Sequence, residues 1–158
     1  MGKMTRGVQI LQSRGVAYTL HPYRVVDEGE SYGAAVAGAL GVPLERLFKT
    51  LLAAVDSKPV VAIVPVSGRL GMKELARAAG GKRAEMIAPA EAERLTGYVT
   101  GGISPFGQKK RVPVYADESI LTHPTVYCSA GQRGLQVELS PADLISVLDA
   151  TTARLSGE

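Results

Sequence analysis

Scarcity is the first informative feature of this chain of 158 residues, which has one cysteine, two histidines and no tryptophan. A lone Cys128 cannot close an intramolecular disulfide, and with only His21 and His123 beside it no pair-plus-pair ligand spacing exists for zinc. A reducing compartment and no structural metal are therefore expected. Long apolar runs are missing too. The longest, Val60–Val66, falls far below the ~20 residues that a bilayer-spanning helix needs, and it reads as a buried strand. The N-terminal segment lacks the apolar centre of a secretory signal, and Arg6 stands where a myristoylation motif needs Ser or Thr. These absences predict a cytoplasmic protein without a membrane partner. Residues 1–26 hold no acid and carry Lys3, Arg6, Arg14 and Arg24, which suits an organellar transit peptide. Met4, Val8 and Leu11 at helical spacing suit a docked helix equally well, and that reading is preferred.

The composition that remains, 46% hydrophobic and 21% charged, is that of a globular chain. One domain over 1–158 is expected. Its net charge is only +3, but the distribution is uneven. Between Arg69 and Arg111 the bases Arg69, Lys73, Arg77, Lys82, Arg83, Arg94, Lys109, Lys110 and Arg111 face only Glu74, Glu85, Glu91 and Glu93. Lys73 and Arg77 fall four apart on a predicted helix, and Lys109-Lys110-Arg111 follow a glycine-rich loop. The two groups form a phosphate-facing patch if the fold unites them; otherwise they are a solvated face.

Along the chain, a helix over Thr5–Arg14 stops at Gly15, and Ala17–Tyr23 alternates as a strand. Asp27–Glu30 reads as a polar loop. Small residues over Tyr32–Leu40 keep helical spacing, and Pro43 through Phe48 suggests a short second turn. Lys49–Val55 and Pro59–Val66 are strands joined by Asp56-Ser57-Lys58 as an antiparallel hairpin. Further elements are a helix over Lys73–Ala79, a short strand at Glu85–Ile87, a helix over Pro89–Leu95, and strands at Val112–Ala116, Thr125–Ser129 and Gln136–Leu139. Ser140 and Pro141 open a last helix whose apolar face is read as Leu144, Leu148 and Leu155. The sum is an α+β domain with hairpin-connected strands.

Chemistry is narrowed by what is missing: no phosphate loop, no dinucleotide glycine turn and no Gly-x-Ser-x-Gly. Cys128 lies in an apolar strand and reads as a buried thiol, and the histidines read as structural or surface groups. Lys49 opens an otherwise apolar strand, so its ammonium either snorkels to solvent or points into a polar cavity. Gly101-Gly102-Ile103-Ser104-Pro105 and Ser129-Ala130-Gly131 are either tight turns or walls that let a substrate approach the main chain.

These residues together resemble a known family. Phe48-Lys49-Thr50-Leu51-Leu52, the run Thr96–Arg111, and Ser129-Ala130-Gly131-Gln132-Arg133-Gly134-Leu135 are similar to the YbaK-type aminoacyl-tRNA deacylases, relatives of the editing domain inserted in bacterial prolyl-tRNA synthetases. The resemblance implies a mixed, mostly antiparallel, barrel-like β-sheet flanked by helices and a pocket for the aminoacyl end of tRNA. It implies no cofactor and no metal. Carried onto this chain, Lys49 and Gly101 are the candidate catalytic positions. Tyr23, Tyr32, Thr50, Gly102, Pro105 and Ser129 are the candidate substrate contacts. Lys73, Arg77, Lys109, Lys110 and Arg111 are candidate tRNA-backbone contacts. The implied activity is removal of cysteine from mischarged tRNA(Pro), with the substrate's own thiol attacking its ester. Lys49 would hold the ester end or terminal phosphate, and N–H groups near Gly101 and Gly102 would face the oxyanion. Prolyl-tRNA synthetase is the implied partner. Gln136 stands where the resemblance leads one to expect an acid. Alternatives are a deacylase for alanyl-tRNA or another small residue, and a noncatalytic binding module.

Overall fold

The structure, a computed structural model, describes residues 4–24 and 32–157, so the polar loop read at Asp27–Glu30 lies outside the described residues. Thr5 starts the first helix by accepting a hydrogen bond from the Val8 N–H at 3.1 Å, and α1 runs over Arg6–Ser13 with Val8 and Leu11 buried. After it come β1 (Thr19–Pro22), α2 (Tyr32–Leu40), a 3-10 turn at Leu44–Arg46, β2 (Phe48–Val55), β3 (Lys58–Pro65) and β4 (Arg69–Leu70). The chain continues through α3 (Met72–Ala78), β5 (Ala84–Met86), α4 (Pro89–Thr96), β6 (Val114–Asp117) and a 3-10 turn at Glu118–Thr122. It ends with β7 (Val126–Gln132), β8 (Leu135–Leu139), α5 (Pro141–Leu148), β9 (Thr151–Ala153) and β10 (Ser156–Gly157).

The β2–β3 hairpin turns on Asp56 and Ser57, both at positive φ, 49° and 69°. This is the mirror-image turn whose twist matches antiparallel strands, and aspartate tolerates its left-handed backbone. The Asp56 carboxylate secures the turn by accepting from the Lys82 and Arg83 N–H groups. At the other end of the chain the Ser140 hydroxyl accepts from the Asp143 N–H at 3.1 Å and caps α5.

The strands assemble as a five-stranded sheet in the order β5-β2-β3-β6-β9, a three-stranded sheet β1-β8-β7, and a β4-β10 pair. Most pairings are antiparallel, but β6 lies parallel to both β3 and β9. The sequence reading of hairpins misses this, because these partners are distant in the chain. A parallel bridge between Leu47 and Tyr127 joins the two larger sheets at one corner. They curve about the core as an unclosed barrel.

Both faces of β3 are covered, which is why Val60–Val64 lacks any alternation. Val61 and Ile63 pack with Val8, Leu11, Val137 and Leu144 on one side. Val60, Ala62 and Val64 pack with Leu75 of α3 and with Leu155 on the other. Leu155 therefore does not extend the apolar face of α5. The helix stops at Asp149, at positive φ, and the chain enters β9 before Leu155 is buried beneath the opposite face. Asp117 anchors this return. Its buried carboxylate accepts from the Leu155 N–H at 2.9 Å and the Ser156 N–H at 3.0 Å.

Candidate functional site

The corner where the sheets join also opens a gap. β5 pairs with β2 only over Ala53–Val55, and the last hydrogen bond on that edge runs from the Ile87 N–H to the Leu52 carbonyl at 3.1 Å. Strand alternation turns the N–H and C=O of Thr50, two residues earlier, to the same edge. Beside them, among the described residues, lies no strand but a cavity of about 290 Å³, lined on this side by every residue from Leu47 to Leu52. Its other walls come from Val36 of α2, Ile87 and Ala92 around α4, Thr100, Gly101 and Ile103 of the glycine-rich loop, and Ser129 and Gln136 of β7 and β8.

Most of this lining is apolar, so the polar residues in it are conspicuous. The Thr50 hydroxyl and the Gln136 amide oxygen are both inaccessible and have no hydrogen-bond partner among the described residues. Gln136 as a whole is only 6% exposed. Buried polar atoms are nearly always paired, and an unpaired one costs about 1–3 kcal/mol. Lys49 is half-buried at the same wall. Its ammonium is held below the ordinary lysine range, first by burial and then by repulsion from Arg69.

The loop that forms one wall is held from beneath. The Tyr98 hydroxyl donates to the Phe106 carbonyl at 2.6 Å, the fully buried Ser104 hydroxyl accepts from the Phe106 N–H, and Arg133 Nε donates to the Thr100 carbonyl. Gly101 sits at φ 88°, in the left-handed region that favours glycine. Gly102 is glycine for a different reason: a Cβ there would come within 2.8 Å of the Arg133 nitrogen and 2.9 Å of the Gln132 carbonyl carbon. The loop thus lies directly on the β7–β8 connection.

The structure brings Lys49, Thr50, Gly101 and Ser129 of the sequence candidates to one cavity, and Gln136 with them. The remaining candidates lie elsewhere. Gly102 is buried and does not line the cavity, and its N–H donates to the Val99 carbonyl at 2.9 Å, so it does not face an oxyanion. Pro105 turns to a second cavity on the far side of the loop. Tyr23 packs with Val36 and Leu47, behind the cavity wall. Tyr32 opens α2, but its side chain lies outside the described residues. The two basic groups do not meet. Lys73 and Arg77 ride on α3, which covers one face of the large sheet. Lys110 and Arg111 border α1 and α5 on the other.

Sequence reasoning missed the apolar walls from α2 and from Met86 to Ala92, since nothing local marks them as neighbours of Lys49. His21 and Cys128 have no part in the site. His21 Nε2 lies 2.8 Å from Glu138 Oε1, in a cluster with Thr125 and Arg46. The hydrogen bond from Thr125, followed by that from His21, holds the Glu138 carboxyl below the usual range. Burial pushes the Cys128 thiol up to about 12. No group of three His, Cys, Asp or Glu placed to hold a metal occurs among the described residues, and no helix among them is long and apolar enough to cross a membrane.

Comparison with known proteins gives a consistent result. The profile of the aminoacyl-tRNA editing domain matches residues 28–147. A protein of Enterococcus faecalis provisionally named a Cys-tRNA(Pro)/Cys-tRNA(Cys) deacylase, EbsC, is 34% identical over 96% of this chain and 93% of its own. The multifunctional Ser/Thr-tRNA deacylase of Escherichia coli is 26% identical over 90% of this chain and 86% of its own. A solved structure described provisionally as a trans-editing enzyme for prolyl-tRNA synthetase shares the fold, with a TM-score of 0.84 over 97% of this chain and 96% of that one, at 24% identity.

Proposed function

The chain belongs to the aminoacyl-tRNA editing domain family, and on that premise we propose that it is a single-domain, trans-acting deacylase that clears cysteine from mischarged tRNA(Pro). The observation that carries this reading is the apolar cavity lined by Thr50 and Gln136, whose Oγ1 and Oε1 are buried and unpaired among the described residues, beside a half-buried Lys49. Both side chains border the cavity, so rotation about a side-chain bond brings these atoms to a bound ligand, and a cysteinyl ester supplies an ammonium, a thiol and a carbonyl to pair with them. With Cys128 buried and His21 bound to Glu138, neither supplies a nucleophile at the cavity.

The reaction then uses the substrate's own sulfur. The thiol loses its proton, sulfur bonds to the ester carbonyl carbon, the carbon–oxygen bond to the terminal ribose breaks, and the ribose oxygen takes up the proton. The products are a thiolactone and tRNA with a free 3′ end. The protein's part is to fix the cysteinyl group in the reactive conformation and to offset charge developing on the carbonyl oxygen. Gln136 and Thr50 orient the amino acid. With the Gly102 N–H engaged by Val99, charge stabilisation is assigned to the Lys49 ammonium, with the main chain at Gly101 as the neighbouring wall. The apolar walls exclude water that would weaken that interaction. This activity belongs in the cytoplasm alongside prolyl-tRNA synthetase, the source of the mischarged product.

The test is release of labelled amino acid from cysteinyl-, alanyl- and seryl-tRNA(Pro), by wild type and by Lys49→Ala. Loss confined to the cysteinyl substrate and abolished in a folded Lys49→Ala protein is expected. Equal loss of alanine excludes the thiol-assisted route. Loss of serine favours a second reading, in which Thr50 and Gln136 bind a side-chain hydroxyl. Near-wild-type turnover by Lys49→Ala removes that lysine from the mechanism.

A further inference from the structure

The glycine-rich loop has two faces, and only one belongs to the aminoacyl cavity. Gly101 and Ile103 line that cavity, whereas Pro105 through Gln108 form the wall of a second one, of about 210 Å³. Its floor is apolar, from Phe106, Val112, Val114 and Val147, and its rim carries three exposed cations: Arg14 from the end of α1, and Lys110 and Arg111 from the segment before β6. No acid lines it. Arg14 lies nearly a hundred residues from the other two in sequence, so this convergence exists only in the fold. Gly101 and Pro105 are four Cα steps apart, so the residues that line the two cavities lie no more than about 14 Å from each other. That is the reach of the last few nucleotides of an RNA strand.

We propose that this second cavity is the polynucleotide subsite, with Arg14, Lys110 and Arg111 on consecutive phosphates and the apolar floor under a sugar or base. The proposal rests on the deacylase reading for the identity of the RNA. Its physical basis is charge complementarity around an apolar floor, the arrangement that binds single strands without reading their sequence. The loop joining the cavities then aligns the strand and the amino acid as one ligand. Lys73 and Arg77, on the opposite face of the sheet, take no part.

Two measurements test it. The first is fluorescence titration of an uncharged acceptor-stem RNA hairpin with a free 3′ end, using wild type and the surface variant Arg14→Ala/Lys110→Ala/Arg111→Ala. The variant is expected to bind at least tenfold more weakly at low salt. The slope of log affinity against log salt should become shallower by about 2, since each single-strand phosphate contact contributes about 0.7. The second is the turnover of two substrates, cysteinyl-tRNA and the phosphate-free ester cysteinyl-adenosine. The variant should raise KM for the first and leave the second unchanged. Unchanged RNA affinity overturns the proposal. So does equal weakening by Lys73→Ala/Arg77→Ala, or an equal loss on both substrates. If wild type cleaves neither ester, the deacylase reading falls, and the RNA titration still decides this subsite by itself.

Discussion

Replacing Gln136 with methionine separates what the cavity costs the fold from what it gives the ligand. Gln136 is 6% exposed, and its amide oxygen has no hydrogen-bond partner among the described residues. An unsatisfied buried acceptor costs about 1–3 kcal/mol, whereas methionine fills a similar volume with no polar atom to desolvate. Allowing for contacts of the amide nitrogen that are lost with it, Gln136→Met should stabilise the free protein by about 1 kcal/mol. For a chain of this size that is a rise in Tm of about 2–4 °C. The same substitution removes a hydrogen bond to the bound cysteinyl group. If that bond is made to the charged ammonium it is worth about 1.5–3 kcal/mol, so kcat/KM for cysteinyl-tRNA should fall about 10- to 100-fold. Thermal unfolding without RNA and deacylation of cysteinyl-tRNA read the two effects separately. A methionine variant that is less stable than wild type and deacylates at the wild-type rate refutes the reasoning on both counts. A stabilised variant with full activity refutes the substrate contact alone.

Two further outcomes follow from the electrostatics. Lys49 has its pKa lowered by burial and by Arg69, so its ammonium is lost at lower pH than an ordinary lysine's. If the cation stabilises developing charge, kcat should decline on the alkaline side below the usual lysine range. A profile that instead keeps rising beyond the ionisation of the substrate thiol, through the lowered lysine range, assigns the neutral amine as a general base. Burial pushes the Asp117 carboxyl up, but hydrogen bonds from Ser119, Leu155 and Ser156 outweigh it and leave the group below the ordinary aspartate range. Its contribution to stability is therefore complete above the unfolded pKa and lost as pH falls through the lower folded one. Asp117→Asn should cost about 2–3 kcal/mol near neutrality, the size of the charge-assisted bonds it weakens. Urea titrations should show that gap narrowing in acid, and a gap that is absent at pH 7 or independent of pH excludes the anchoring role.

Local chemistry sufficed for much of this protein. Thr5 and Ser140 supply side-chain oxygens where helices begin, and α2 spans the Tyr32–Leu40 stretch marked by its small residues. Asp56-Ser57 is a two-residue turn between strongly apolar runs, so β2 and β3 were legible as a hairpin. The motifs around Lys49, Gly101 and Ser129 were legible as well, because a lysine in an apolar strand and a glycine-dense loop are unusual enough to show. What the residues around them build was not legible. Parallel pairing of β6 with β3 and β9 depends on partners tens of residues apart. Leu155 kept the spacing of a helix face, yet the chain turns at Asp149 and carries it beneath the opposite face of the sheet.

The site shows the same division. Sequence alone determined which residues carry polar chemistry, since side-chain identity fixes charge and hydrogen-bonding capacity wherever the chain runs. Only the tertiary structure decided which of them share a cavity. β5 stops short along β2, leaving the edge beside Thr50 open. The loop at Gly102 presses on Arg133, leaving Gly101 on one face and Pro105 on the other. The large sheet places Lys73 and Arg77 opposite Lys110 and Arg111, with Arg14 brought beside the latter. Alternation along a strand records which face a residue occupies, but not which distant element covers that face, and the chemistry of this protein lies in those coverings.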